Sequence, residues 1–298
     1  MALTLSQTDI DNWYASSSTF SWRGNEVSYR ATGGGVPMLL VHGFPTAGCD
    51  WSDIATSLEK YFRLVVPDML DYGHSRNPLG KTWHIHDQAD MIEALLDSLD
   101  VRSCHLLIHD VGDTVGQELI ARQNDEALSF TIDSVVLMNG GIFPAHHRPR
   151  SAQKLLLSPL GPLVARLVGK KRFMSALAEV FGSGTRPDGE ALDALWHVSV
   201  GVNGKASLAR RIQYMNDRRE HEARWVGALR ETDLRMLMIN GVEDPVSGAH
   251  LCDVIERELP SMSVIRLPGI GHFPPLEAPD ECVRHILAFH ELDGQPVV

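Results

Sequence analysis

The 298-residue chain carries only four cysteines, Cys49, Cys104, Cys252 and Cys282, and no two are spaced as CxxC. That absence removes the common zinc-site and thioredoxin-like readings and leaves buried, reduced thiols as the expectation. Its fourteen histidines include no HExxH or comparable pair, so neither a metal nor any other cofactor is expected. No apolar run approaches the ~18 residues needed to span a membrane. Met1 to Tyr14 holds Asp9 and Asp11 and lacks the continuous apolar stretch of a signal peptide. A cytoplasmic protein is therefore expected. Positive charge is also scarce: 27 Lys and Arg against 38 Asp and Glu give a formal net charge of -11. Such a balance disfavours nucleic acid and broad attraction to anionic surfaces.

What is present is an alternation of short apolar runs and helical stretches. Thr19 to Trp22 and Val27 to Tyr29 flank the turn residues Gly24 and Asn25 and read as an opening hairpin. Met38 to Val41, Leu64 to Val66, Cys104 to Ile108 and Val135 to Met138 then read as buried strands. Helical patterns fall at Asp50 to Leu58, His86 to Leu99 and Val111 to Arg122. This rhythm predicts an α/β fold with a mostly parallel central sheet flanked by helices.

Strand signals stop after Asn139. From Gly140 to about Ala228 the pattern is helical, with breaks at Pro144, Pro149, Pro159 to Pro162 and Gly182 to Pro187. Alternation resumes with Met236 to Ile239, Gly248 to Leu259, Val264 to Leu267 and Pro279 to His290. The expected organisation is a core of residues 1–139 and 229–298 with an inserted helical cap, or lid, at 140–228.

In an open parallel sheet ligands bind beyond the carboxyl ends of the strands. Three such ends carry reactive side chains: His109-Asp110-Val111-Gly112, Glu243-Asp244-Pro245 and Gly271-His272-Phe273. Asp110 and Asp244 lie 134 residues apart, and His272 follows 28 residues later. The order of nucleophile, acid and histidine is that of a hydrolytic triad. No serine stands in a G-x-S-x-G; Ser75 lacks the second glycine and follows a different strand. Asp110 occupies the strand-to-helix corner, with Gly112 two residues on and Ile108, rather than glycine, two before. Taken singly, Asp110 has a plainer role as a helix N-cap, Asp244 as a turn residue before Pro245, and His272 as a packed histidine.

These motifs, with His42-Gly43-Phe44-Pro45 after the third strand and Asp68 to Ser75 after the fourth, resemble the α/β-hydrolase superfamily over nearly the whole chain. The resemblance implies a catalytic triad of Asp110, Asp244 and His272, with the backbone N–H groups of Phe44 and Val111 as oxyanion donors. A carboxylate nucleophile displaces at saturated carbon and leaves an ester on the enzyme, which a histidine-activated water hydrolyses. Epoxides, alkyl halides and strained lactones are the corresponding substrates, and a small apolar one is expected.

His42-Gly43-Phe44-Pro45 resembles the version found in epoxide hydrolases and fluoroacetate dehalogenases. Haloalkane dehalogenases typically place tryptophan after the nucleophile and often asparagine before the proline; here those positions are Val111 and Phe44. Epoxide opening in that family draws on two lid tyrosines. Only Tyr214 lies in the insert, as a proton-donor candidate or as plain helix packing. His146, His147, His197 and Trp196 are candidates for the second donor, and His42, His109, Trp196 and Trp225 for the substrate pocket. A carbon–halogen hydrolase would need Trp196, Trp225 or a lid histidine to hold the halide. A catalytically silent scaffold that binds a ligand is the remaining alternative. The stretches from His109 to Asp113, Asn139 to Pro144, Arg148-Pro149 and Arg224 to Leu229 resemble, more narrowly, the mesoderm-specific transcript group near the epoxide hydrolases. A monomer or homodimer is expected.

Overall fold

Ser6 opens the first helix, α1 (Gln7–Ala15), through a reciprocal cap. Its hydroxyl accepts from the Asp9 N–H, and the Asp9 carboxylate accepts from the Ser6 N–H. The computed structural model to which this helix belongs describes residue 3 and residues 5–292, so the expected core limits at 1 and 298 lie outside the described residues. β1 (Ser18–Trp22) and β2 (Asn25–Thr32) then form an antiparallel hairpin. Arg23 and Gly24 both take positive φ, 45° and 78°, as a tight turn between twisted strands requires.

β3 (Val36–Val41), α2 (Ser52–Leu58), β4 (Phe62–Pro67), α3 (Ile85–Ser98), β5 (Ser103–His109), α4 (Val111–Asn124) and β6 (Thr131–Met138) follow. Seven helices separate β6 from the next strand: α5 (Ser151–Leu157), α6 (Gly161–Leu167), α7 (Lys170–Ala178), α8 (Gly189–Val200), α9 (Ser207–Arg211), α10 (Tyr214–Glu220) and α11 (Glu222–Glu231). The chain completes the sheet with β7 (Arg235–Gly241), α12 (Ala249–Glu258), β8 (Ser263–Leu267), α13 (Pro274–Glu277) and α14 (Pro279–Phe289).

The eight strands are ordered β1-β2-β4-β3-β5-β6-β7-β8 and are parallel from β4 onward. Alternate side chains feed two cores. Leu39, Val41, Val65, Leu106 and Ile108 join Ile92, Val115 and Leu119 of α3 and α4 on one face. Met38, Leu40, Leu64, Val66 and Leu107 join Ile54, Leu58 and Ile286 of α2 and α14 on the other. A strand buried on both faces is apolar on both, which is why β3 reads as an unbroken apolar run and β5 as one interrupted only at the half-buried His105 between its ends.

α11 spans the expected limit at residue 228 and lies along α4. Trp225, Ala228 and Leu229 share the core of Val115 and Leu119. The chain leaves β3 in one direction to β4 and returns on its other side as β5, so a crevice opens beyond the carboxyl ends of β3 and β5.

Candidate active site

Asp110 sits in that crevice at the sharp corner between β5 and α4, with φ 50° and ψ -104°. Such a conformation is costly for a residue with a Cβ and persists only where its surroundings enforce it. Two glycines allow it. A Cβ on Gly112 would lie 2.4 Å from the Val41 carbonyl oxygen, so only glycine lets α4 start this close to β3. A Cβ on Gly116 would lie 2.3 Å from Ile108 Cδ1. The bulk of Ile108, which replaces the small residue expected before the corner, is therefore accommodated one turn into the helix.

The Asp110 carboxylate is buried. Its Oδ2 accepts from the Phe44 N–H at 3.0 Å and lies 3.8 Å from His272 Nε2. Val111 is the first residue of α4, and its N–H has no acceptor within the helix. His272 Nδ1 is 2.8 Å from Asp244 Oδ2. Asp244 is held in turn by the Ser247 hydroxyl at 2.7 Å, the Val246 N–H at 2.8 Å and Asn139 Nδ2 at 3.0 Å. The structure thus brings Asp110, His272 and Asp244 together in one line from three separate strand ends.

Burial alone would depress the His272 pKa, but Asp244 on one side and Asp110 on the other hold it up at about 10. Burial would likewise raise the Asp110 pKa, and contact with His272, Arg218 and His109 overrides it to keep this carboxyl below the usual range. The resting arrangement is an imidazolium between two carboxylates.

Arg218 completes the charge balance from α10. Its Nε donates to the Thr114 hydroxyl at 2.6 Å, and its Nη2 donates to the Asp110 carbonyl at 2.7 Å and lies 3.4 Å from Asp110 Oδ1. Sequence reasoning singled out Tyr214 but not Arg218, although the two are four residues apart and share a helix face. The guanidinium stacks over the Tyr214 ring at 4.6 Å. Tyr214 packs on Phe44, with ring centroids 6.0 Å apart, and its hydroxyl is buried with no hydrogen-bond partner.

Other residues of the sequence reading take structural places. His42 Nε2 accepts from the Met69 N–H and its Nδ1 meets the Gly43 carbonyl, so both nitrogens are occupied. His109 Nε2 donates to the His272 carbonyl, bracing the histidine loop from below. Both are fully buried, and burial lowers their pKa values to about 3 and about 4, so they are neutral braces and not pocket walls. Trp225 is not a pocket residue either: its indole N–H donates to Glu118 at 2.8 Å in the α4–α11 contact. Trp196 packs edge-on to Phe173 within the helical segment. Of the four second-donor candidates, His147 has a buried Nε2 without a partner, and its ring lies within the fields of Arg218 and Asp110. Ser75 donates to the Asp68 carbonyl and accepts from the Ser28 N–H, as a turn-forming serine.

Three further residues went unrecognised. Asn139, with φ 43°, bridges Gly241 and Asp244 and fixes the acid. Glu277 accepts the N–H groups of Gly182, Gly271 and Phe273, clamping the His272 loop to the segment after α7. Asp113 is buried with neither carboxyl oxygen partnered, and burial pushes its pKa well up. Among the described residues no group of three His, Cys, Asp or Glu side chains could hold a metal.

A family model described as alpha/beta hydrolase fold matches residues 36–279. The chain belongs to the α/β-hydrolase family. It is 36% identical over 282 residues to the mesoderm-specific transcript homolog protein of Bos taurus, covering 91% of this chain and 84% of that one. It is 26% identical to a cis-3-alkyl-4-alkyloxetan-2-one decarboxylase of Shewanella oneidensis over 90% of this chain and 86% of that one. The crystal structure of an alpha/beta hydrolase fold protein from Burkholderia ambifaria superimposes with a TM-score of 0.78 at 20% identity, covering 91% of this chain and 97% of that one. The β5–α4 corner of this chain carries an aspartate where G-x-S-x-G enzymes of the family carry serine.

Proposed function

We propose that the protein is an Asp-nucleophile hydrolase that opens small apolar epoxides to diols, with residues 140–228 acting as its cap. The observation that carries this reading is the placement of Asp110 Oδ2 on the Phe44 N–H, which puts the carboxylate itself in the oxyanion pocket. Once Oδ1 is alkylated, water attacks Cγ and the developing charge falls on Oδ2, which the Phe44 N–H already contacts, with the acceptor-free Val111 N–H as the second donor of this reading.

In the first step an Asp110 oxygen bonds to an epoxide carbon, the ring C–O bond breaks, and the departing oxygen takes the Tyr214 proton. Burial and the nearby Asp110 raise the Tyr214 pKa well above 10, so the phenol is protonated at rest. Esterification removes one of the two negative charges that hold His272 protonated. Its pKa then falls, its proton passes to the Tyr214 phenolate, and the neutral imidazole becomes a base for water at the step that needs one. Asp244 keeps the imidazole oriented throughout.

A halide reading gains nothing from the tryptophans, since the Trp225 N–H is given to Glu118 and Trp196 packs on Phe173, and would rest on His147 as its lid donor. The test is a panel of epoxides, bromoalkanes and β-lactones, with diol, bromide and lactone loss quantified separately and Asp110→Ala as control. Diol formation lost in the control supports the proposal. Dominant bromide release or lactone consumption refutes the epoxide assignment, and an unaffected control refutes the nucleophile.

A further inference from the structure

α6 is apolar on the wrong side as well as the right one. Gly161 and Ala165, four residues apart, are buried against the protein. Leu163 and Leu167, also four apart and roughly 200° round the helix from that pair, are 55% and 73% exposed. Leu160 at the start of α6 and Leu155 of α5 are exposed at 61% and 43%. A helix with apolar residues on both faces is one that is covered on both, and clustered exposed leucines of this kind mark an interaction surface.

Charge identifies the covering. From Ser134 to Ala178 there is no Asp or Glu, while Arg148, Arg150, Lys154, Arg166, Lys170, Lys171 and Arg172 fall in the same stretch of a chain with net charge -11. Lys170 pairs with Asp193 and Arg150 with Glu179. Lys154, Arg166, Lys171 and Arg172 have no ion-pair partner among the described residues, and all four are exposed. Exposed leucines flanked by unpaired cations are the composition of an element that lies in a lipid interface.

We infer that the α5–α6 hairpin and the start of α7 dock on an anionic bilayer surface, with Leu155, Leu160, Leu163 and Leu167 entering the headgroup region and Lys154, Arg166, Lys171 and Arg172 meeting lipid phosphates. α5 and α6 rest on α9, whose Arg211 donates to the Pro45 carbonyl beside the oxyanion loop. The docked element therefore lies one helix away from the oxyanion loop. The inference stands whether the site opens epoxides or performs other chemistry.

Flotation of the full chain with phosphatidylcholine vesicles, and with vesicles also containing phosphatidylglycerol, tests it. Binding is expected only to the anionic vesicles and should weaken with salt. Lys171→Gln with Arg172→Gln should weaken it on the order of thirtyfold, from roughly one lysine-equivalent of surface attraction each. Leu163→Glu with Leu167→Glu should abolish it while the melting temperature stays unchanged. Failure of the wild-type chain to float, or binding that survives the leucine substitutions, overturns the inference. So does a dimer in light scattering that those substitutions dissociate without any vesicle binding, since the covering would then be a second copy.

Discussion

Replacing His272 by glutamine separates the two chemical steps and tests the proposed mechanism at its weakest joint. Asp110 is left in place, with Oδ2 on the Phe44 N–H. Alkylation should proceed, but no base remains 3.8 Å from that carboxyl to activate water. General-base catalysis contributes on the order of 10²–10⁴ in rate. An ester that turns over in about 0.1 s in an ordinary enzyme should then survive for roughly 10 to 1000 s, long enough to quench and weigh. Intact-mass spectrometry should find one adduct per chain, and peptide mapping should place it on Asp110. The increment identifies the substrate class. Ring opening retains every atom, so an epoxide adds its full mass, whereas a bromoalkane adds its mass less hydrogen bromide. The reasoning is refuted if no adduct forms while wild type turns over, or if an adduct also forms when Asp110 is changed to asparagine.

Tyr214→Phe should leave binding intact and slow epoxide opening on the order of 10²-fold or more, measured as kcat with KM little changed; an unaltered kcat would remove Tyr214 from the chemistry. Gly112→Ala places a methyl group 2.4 Å from the Val41 carbonyl oxygen. It should cost about 1–3 kcal/mol in chemical denaturation and most of the activity, because the corner and the Val111 N–H must shift. Trp225→Phe deletes the N–H given to buried Glu118 and should cost about 1.5–3 kcal/mol with turnover preserved, since the residue lies in the α4–α11 contact. Asp50 is fully buried, and burial raises its pKa from 3.8 to about 8. An acid that holds its proton in the folded state but loses it near 3.8 when unfolded makes stability fall as pH rises between those values. Asp50→Asn should flatten that decline in melts taken at about pH 5 and about pH 9, and an unchanged slope would refute the assignment.

The strands, the insert and the strand-end residues were legible because burial on two faces forces unbroken apolar runs, and because chemistry collects where parallel strands end. That rule, with the order of the three residues along the chain, pointed to Asp110, Asp244 and His272, which the structure brings together. It did not reach Arg218, Asn139 and Glu277, since each acts across the chain on backbone carbonyls, N–H groups or carboxylates that no local pattern records. His42 and His109 misled in the opposite direction. They too follow strand ends, but their rings turn under the loops and serve the Met69 N–H and the His272 carbonyl. Trp225 misled because indole N–H groups are good anion donors in general; here the anion is Glu118.

The buried charges of the site form a balanced set at rest: Asp110 and Asp244 against Arg218 and a protonated His272. Asp110 is only 3% exposed and stays ionised without solvent because His272 first and Arg218 second oppose its burial. In the proposed mechanism the arginine's charge also bears on the hydrolytic step. When Asp110 becomes an ester and Tyr214 has given up its proton, the group able to reprotonate that phenolate is His272, since a guanidinium does not deprotonate. The arginine that stabilises the first step's reactant therefore also promotes the second step's base. In that mechanism one buried cation on α10 couples ionisation of Asp110 to deprotonation of His272, and it does so from the helix that also presents Tyr214.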